Sequence, residues 1–252
     1  MDPHAPGWTT VIASDPPHRG VRALVADEPV QSGDMPDLGG WMQRLCRVAT
    51  RELSASGVGM SVMSPSGAVT VLATSSPASE NIEQLQFTMG EGPCLDAYEF
   101  GRPVLTPDLS VAADKRWPGY ASAAQEHGVR AVFAFPLQVG AARLGAMDVY
   151  REHTGSLSKP LLTQALAFAE AAMTALLAAQ QQRSDDEPSV LGMAMEDSFL
   201  VYQAQGMVQA QLGVTLAEAM ARLRAYAYSH DRPLNEVAKD VVARTLLFQP
   251  DP

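Results

Sequence analysis

Apolar residues recur at helical spacing in the C-terminal part of the chain and predict three short helices. A first helix, from about Met195 to Gln211, ends before Gly213, because glycine readily adopts the left-handed conformation that closes a helix. Thr215 and Glu218 have capping-box spacing for a second helix, and Pro233 suits the first turn of a third. Three such helices form a compact interaction module whose core is too small for an enzyme pocket.

Upstream, the pattern changes to apolar runs of strand length separated by glycine- and proline-rich turns. Helices are predicted over 37–55, 79–87, 94–99, 119–127 and 156–182, and strands over 57–63, 68–74, 104–105, 131–139 and 144–150. A turn at 65–67 joins the first two strands into a hairpin. This order predicts an α+β domain with an antiparallel sheet flanked by helices, followed by the all-α bundle.

Composition divides the chain into four segments. Residues 1–35 are rich in Pro, Asp, Gly and Ser and predict a disordered or weakly structured tail, with at most a brief strand at 21–25. Residues 36–180 form the α+β domain and include its long C-terminal helix. A polar linker follows at 181–194, and the helical module occupies 195–248.

The long helix at 156–182 has an apolar face that permits two interpretations. Its alanines, leucines and one methionine recur partly in heptad fashion. This face either packs on the sheet of its own domain or forms the seam of a homodimer.

Charge limits the range of nucleic-acid functions. The formal net charge of −10 argues against a generic nucleic-acid binder, because affinity independent of sequence comes from neutralised phosphates. The helical module nevertheless carries a group of cations balanced by nearby acids: Arg222, Arg224, Arg232, Lys239 and Arg244. RNA binding by this module would therefore rely on selective recognition of exposed loop bases.

The sequence shows no membrane-directing signal. No apolar run reaches the length of a bilayer span, and the N-terminus lacks a positive region followed by an apolar one. We therefore expect a cytoplasmic protein without membrane contact.

Motifs for catalysis and for metal binding are also missing from the sequence. It contains neither a phosphate-binding loop ending in GK[ST] nor an H-E-x-x-H segment, and its five histidines are scattered. Cys46 and Cys94 lack metal-ligand spacing. We predict no catalytic residues, no metal site and no cofactor, and expect the protein not to be an enzyme.

Cys94 is the most suggestive single residue of the α+β domain. It follows Gly92 and Pro93 at the expected start of a helix, where the helix dipole lowers the pKa of a thiol. A redox or ligand-sensing role is one interpretation, and a buried cysteine acting as a small apolar residue is the other. Trp117, Phe87, Tyr120 and Phe133 are candidates for the wall of a ligand pocket or for core packing.

The C-terminal module carries, in this order, Ala204 to Val208, Leu216 to Ala219, Leu223 to Ala227, and Leu234 with Glu236, Val237 and Ala238. In these elements it resembles the ANTAR domain, an RNA-binding antitermination module. Gln205 departs from the family pattern, in which many members carry lysine. Gly206 in a helix interior suggests the close approach of a neighbouring helix or of RNA. The resemblance implies RNA contacts from Gln205, Gly206, Gln209, Arg222, Arg224 and Arg232.

The α+β domain carries, in this order, Gly90 to Cys94, Val104, Asp108-Leu109, Trp117-Pro118, Gly128 to Arg130, Phe135 to Leu137 and Leu144 to Ala146. In these residues it resembles the GAF domain, a fold that senses small molecules. A GAF domain followed by an ANTAR domain is typical of actinobacterial regulators.

Together the two resemblances imply a signal-responsive transcription antiterminator. Its GAF domain would sense an unidentified small molecule or redox signal, and its ANTAR domain, acting as a homodimer, would bind tandem RNA stem-loops. The alternative is a non-enzymatic sensor that signals by protein–protein contact through its helical C-terminal module.

Overall fold

The structure, a computed structural model, describes residues 17–35, 37–63, 69–113, 116–181 and 190–249. Its strands are β1 (Gly57–Met63), β2 (Val69–Thr74), β3 (Val104–Thr106), β4 (Ala131–Val139) and β5 (Ala142–Arg151). Its first seven helices are α1 (Pro17–Asp27), α2 (Asp37–Glu52), α3 (Pro77–Met89), α4 (Pro93–Phe100), α5 (Leu109–Ala113), α6 (Pro118–Glu126) and α7 (Lys159–Gln181). The last three are α8 (Val190–Leu212), α9 (Leu216–Ser229) and α10 (Leu234–Val242).

The five strands form one sheet in the order β2-β1-β5-β4-β3, and all neighbours are antiparallel. This confirms the predicted fold class, an antiparallel α+β domain followed by a helical bundle. Its central pair, β1 and β5, places Gly59 opposite Asp148. The predicted turn at 65–67 lies outside the described residues.

Both faces of the sheet are covered, because side chains alternate between them along each strand. On β4, Phe133 and Phe135 join the core beneath α1, α2 and α7. Val132 and Ala134 join a second core beneath α3, α4 and α6. The domain therefore has three layers, and any buried site between sheet and helices belongs to one face only.

The predicted N-terminal tail contains helix α1, and the expected strand at 21–25 is part of that helix. Val21 and Val25, one turn apart, are both buried in the core that includes α7. Their spacing suits a helical stripe, and burial against α7 stabilises a segment whose local composition favours disorder.

Helix α7 packs on the sheet, as the first of the two interpretations expected. Ala165, Phe168 and Ala172 are buried, and the helix contacts β4, α1 and α2. One described helix, Lys159–Gln180, is long and apolar enough by length and composition to cross a membrane, contrary to our expectation from the sequence. Half of its apolar window is buried inside the protein, and core helices pass the same test of length and composition.

The C-terminal helices close around a small apolar core that includes Ala204, Val208, Leu223 and Val237. Helix α8 begins at Val190, earlier than predicted, so the last part of the expected linker at 181–194 is helical. The linker residues 182–189 lie outside the described residues.

The predicted capping box is present at the start of α9. The backbone N–H of Thr215 donates to Glu218 Oε2 at 2.9 Å, and the N–H of Glu218 donates to Thr215 Oγ1 at 3.2 Å. These two bonds satisfy donors that a helix start otherwise leaves unpaired.

We expect Thr215→Ala to lower the free energy of unfolding of the helical module by about 1 kcal/mol, because it removes the cap. Urea denaturation of the full chain followed by far-ultraviolet circular dichroism measures this change. Thr174→Ala in the middle of α7 is the matched control, since its hydroxyl donates to the Glu170 carbonyl of the same helix at 2.8 Å and caps no helix end. Equal destabilisation by both variants would contradict the capping role.

Candidate functional site

A cluster of buried polar side chains lies between the sheet and helices α3 and α4. Glu83 accepts a hydrogen bond from the Ser61 hydroxyl at 2.7 Å and another from the Tyr150 hydroxyl. Gln86 donates to Asp148 Oδ2 at 2.5 Å, and Tyr150 is also 3.3 Å from that oxygen. All five side chains are buried. Two carboxyl groups thus share one water-excluded space, with β5, β1 and α3 supplying the groups that surround them.

Cys94 and Tyr120 complete this cluster from α4 and α6. The Cys94 backbone N–H donates to Gln86 Oε1 at 2.8 Å, which fixes the start of α4 against α3. Ligand atoms of Glu83, Cys94 and Asp148 all lie within 4.8 Å of one another. The Tyr120 hydroxyl and Asp148 Oδ1 are buried without a hydrogen-bond partner among the described residues. The cluster therefore combines three candidate ligands with two unused polar atoms.

Burial favours the neutral form of each titratable group in this cluster. It raises the pKa of Asp148 to about 7. Burial, and then the charge of Asp148, raises the pKa of Glu83. Burial likewise raises the pKa of Cys94, with Asp148 and Glu83 adding to it. The expectation of a lowered thiol pKa is therefore wrong, because desolvation and two neighbouring carboxyl groups raise the pKa of Cys94.

The aromatic residues proposed for a ligand pocket divide between the two faces of the sheet. Tyr120, Trp117 and Phe87 lie in the same core as Cys94, and Trp117 Nε1 donates to Asp96 Oδ2 at 3.1 Å. Phe133 is buried on the opposite face, beneath α7. It cannot line a pocket with the other three, because the sheet separates them.

The helical module contacts the α+β domain through α3 and through the sheet strands β1 and β2, and Arg224 lies at the α3 contact. The Arg224 guanidinium occupies the space that a side chain at Gly90 would fill. Gly90 ends α3 in the left-handed conformation, with φ of 70°. Arg224 Nε is buried without a hydrogen-bond partner among the described residues, and burial lowers the pKa of this side chain.

A cavity of about 660 Å³ opens beside Arg224 between the two domains. The α+β domain contributes Phe87, Gly90 and Tyr98 to its lining, and the helical module contributes Tyr202 and Arg224. Of the residues proposed to contact RNA, Arg224 is the one that lines this cavity.

The remaining RNA-contact candidates do not line this cavity. Arg222 precedes Arg224 by two positions, which is roughly 200° around a helix, and it lies near Glu218. Arg232 forms an ion pair with Asp240 at 2.8 Å. Gln205 Nε2 donates to the Leu216 carbonyl at 2.7 Å and thereby ties α8 to α9.

Gln209 and Gly206 complete the set. Gln209 lies one turn after Gln205 on α8 and is half-buried. A Cβ atom added at Gly206 would meet nothing within 4 Å. Tight packing against a neighbouring helix therefore does not explain this glycine among the described residues.

The sequence analysis missed most of the buried cluster. Glu83 and Gln86 occur one turn apart on α3, and both side chains are buried with apolar neighbours such as Ile82 and Phe87. Asp148 is a carboxylate within an otherwise apolar strand. The sequence feature that could have indicated the cluster is this isolated charge in a strand buried on both faces, because a buried charge requires partners in the fold.

Comparison with protein families identifies both domains. The GAF domain model matches residues 36–177, and the ANTAR domain model matches residues 190–242. No curated protein matches the chain.

Among solved structures, the GAF domain of a phosphoenolpyruvate-protein phosphotransferase from Coxiella burnetii is similar, with a TM-score of 0.51 and 16% identity over 66% of this chain and 94% of that chain. The corresponding domain from Acinetobacter has a TM-score of 0.48 and 9% identity over 66% and 93%. Free methionine-R-sulfoxide reductase from Neisseria meningitidis has a TM-score of 0.46 and 16% identity over 71% and 99%. At these identities the similarity shows the fold alone.

Proposed function

The chain belongs to the GAF domain family and carries an ANTAR domain behind its sensor, and we propose that it is a signal-responsive antiterminator that binds tandem RNA stem-loops. A GAF domain is a sensor domain, and an ANTAR domain is an RNA-binding antitermination module. The order of the two domains supports a regulator in which a signal at the first domain changes RNA binding by the second.

The contact between Arg224 and Gly90 is the observation that carries the coupling. Burial of Arg224 removes water from Nε and leaves this atom without a hydrogen-bond partner among the described residues. This loss of hydration makes the docked position of the side chain cost free energy. RNA offers what this position lacks, since phosphates and base edges accept hydrogen bonds from arginine and splayed bases stack on its plane. We propose that the docked conformation conceals Arg224 and that the signal shifts the population toward an undocked, RNA-binding conformation.

Two copies of the chain would bind two stem-loops at once. The net charge of −10 leaves little general attraction for phosphates, so avidity from a homodimer would compensate for weak binding by each module. Leu166, which is 45% exposed on α7, offers an apolar contact for a second copy. Action on nascent transcripts would place the protein in the cytoplasm.

We expect Arg224→Ala to weaken binding of the full chain to tandem stem-loop RNA by roughly tenfold or more, which is within the 1–3 kcal/mol typical of an arginine contact. Electrophoretic mobility shift at several salt concentrations, with an unrelated hairpin as competitor, measures the change. Lys239→Ala is the matched control, because it removes the same charge from an exposed position on α10.

If Arg224→Ala and Lys239→Ala weaken RNA binding equally, the loss reflects the removed positive charge alone. That result would contradict the proposed RNA-binding role of Arg224. Failure of the wild-type chain to discriminate tandem stem-loops from the unrelated hairpin at any salt concentration would instead favour signalling by protein–protein contact through the helical module.

A further inference from the structure

We infer that Glu83, Cys94 and Asp148 form a binding site for a divalent transition-metal ion of the zinc type, with the Tyr120 hydroxyl at the fourth position. The three ligands come from α3, α4 and β5 and are separated by 11 and 54 positions along the chain. Motif spacing could not reveal such a site, because only the fold brings its members together.

The dimensions of the cluster fit a tetrahedral ion after a small contraction. Zinc binds thiolate sulfur at about 2.3 Å and carboxylate oxygen at about 2.0–2.2 Å, so ligand atoms around it stand roughly 3.5 Å apart. The ligand atoms here lie within 4.8 Å of one another. Closure therefore requires movements of about 1 Å or less, which side-chain rotation on α3 and α4 can supply.

Two buried oxygen atoms of the cluster lack hydrogen-bond partners among the described residues, which favours a bound cation. Asp148 Oδ1 and the Tyr120 hydroxyl have no hydrogen-bond partner among the residues described, although both are buried. Tyr120 packs in the same core as Cys94, on the face of the sheet that holds the cluster. Buried polar atoms normally have partners, and a coordinated ion would satisfy both of these together.

Donor chemistry selects the class of ion. A thiolate favours zinc and other borderline-soft metals, whereas magnesium and calcium prefer sites made of oxygen alone. Ser61 and Tyr150 donate to Glu83, and Gln86 donates to Asp148, so each carboxylate already has a partner that orients it. Such supporting hydrogen bonds are typical of metal sites.

A route from solvent leads to the edge of the cluster. A cavity of about 120 Å³ is lined by Tyr150 and Ile82 on its inner side and by the exposed residues His127 and Glu152. The Tyr150 hydroxyl contacts Glu83, so an entering ion would reach the first ligand by displacement of this ring.

Metal binding would also change the contact between the α+β domain and the helical module, an effect that rests on the proposed function. Glu83 and Gly90 both belong to the α3 segment, and Gly90 lies beneath Arg224. Movement of α3 toward β5 on metal binding would shift the surface that holds Arg224.

Metal titration of the full chain tests the site without RNA, so its failure is distinguishable from failure of the proposed function. The chain is stripped with a chelator and titrated with Zn²⁺ by calorimetry in two buffers of different ionisation enthalpy. A parallel titration with Co²⁺ is followed by absorption. We expect one ion per chain, release of protons on binding, and a thiolate-to-Co²⁺ charge-transfer band.

Cys94→Ser should abolish that band and weaken Zn²⁺ binding by about 100-fold or more, since even loss of a supporting hydrogen bond costs 10–100-fold. Cys46→Ser is the matched control, because Cys46 is equally buried but lies on the opposite face of the sheet. If Cys94→Ser does not fold, the number of ions bound by the wild-type chain and its thiolate-to-Co²⁺ band still test the inference. Absence of stoichiometric binding by the folded wild-type chain, or binding without a thiolate band, would overturn the inference.

Discussion

Gly90→Asn is expected to raise the affinity of the full chain for tandem stem-loop RNA by about tenfold, the middle of the usual range for coupling between two sites. Gly90 has φ of 70°, and asparagine tolerates this left-handed conformation better than other residues with a side chain. Its Cβ would occupy the space taken by the Arg224 guanidinium. Arg224 must therefore leave its docked position while the end of α3 keeps its backbone.

Gly140→Asn separates this effect from the general cost of replacing a left-handed glycine. Gly140 has φ of 57°, and an added Cβ there meets nothing within 4 Å. This control should leave RNA affinity unchanged. Hydrogen exchange gives an independent measure of docking, because release should lower the protection of amides at the contact between α3 and α9.

The double variant Gly90→Asn with Arg224→Ala should lose the gain in affinity, since Arg224 is the group that we propose binds RNA. Reduced protection at the contact together with unchanged RNA affinity would show that docking does not conceal the RNA-binding surface.

The parts of the fold that follow from local sequence were predictable. Strands β1 and β4 occupy the predicted residues, because glycine or proline bounds each apolar run. The capping box at Thr215 was predicted with its bonding pattern, since it depends on two residues only three positions apart. Local signals of this kind survive in the folded chain because tertiary packing does not oppose them.

The parts that depend on tertiary placement were not predictable. Helix α1 is stabilised by burial of Val21 and Val25 against α7, a contact between distant parts of the chain that the composition of the tail does not indicate. The separation of Phe133 from Tyr120 depends on which face of β4 each core uses, and this requires the register of the sheet. The cluster around Glu83 and Asp148 needs five elements to meet, so its members look isolated in the sequence.

Gly206 offers a test that separates stability from RNA binding. Glycine in a helix interior is less favourable than alanine by about 1 kcal/mol. A Cβ at Gly206 would meet open space, so no contact within the described chain opposes the substitution. Gly206→Ala should therefore stabilise the helical module by about 1 kcal/mol in urea denaturation, because nothing in the fold offsets the gain in helix propensity.

The same variant should bind RNA about tenfold more weakly if an approaching RNA backbone uses the space that glycine leaves, since roughly 1–3 kcal/mol is typical for loss of one close contact. Gly20→Ala in α1 is the control, because an added Cβ at this helical glycine also meets nothing within 4 Å. It should stabilise the chain without changing RNA affinity. A more stable Gly206→Ala chain with wild-type affinity would exclude this part of α8 from the RNA surface and leave Arg224 on α9 as its centre.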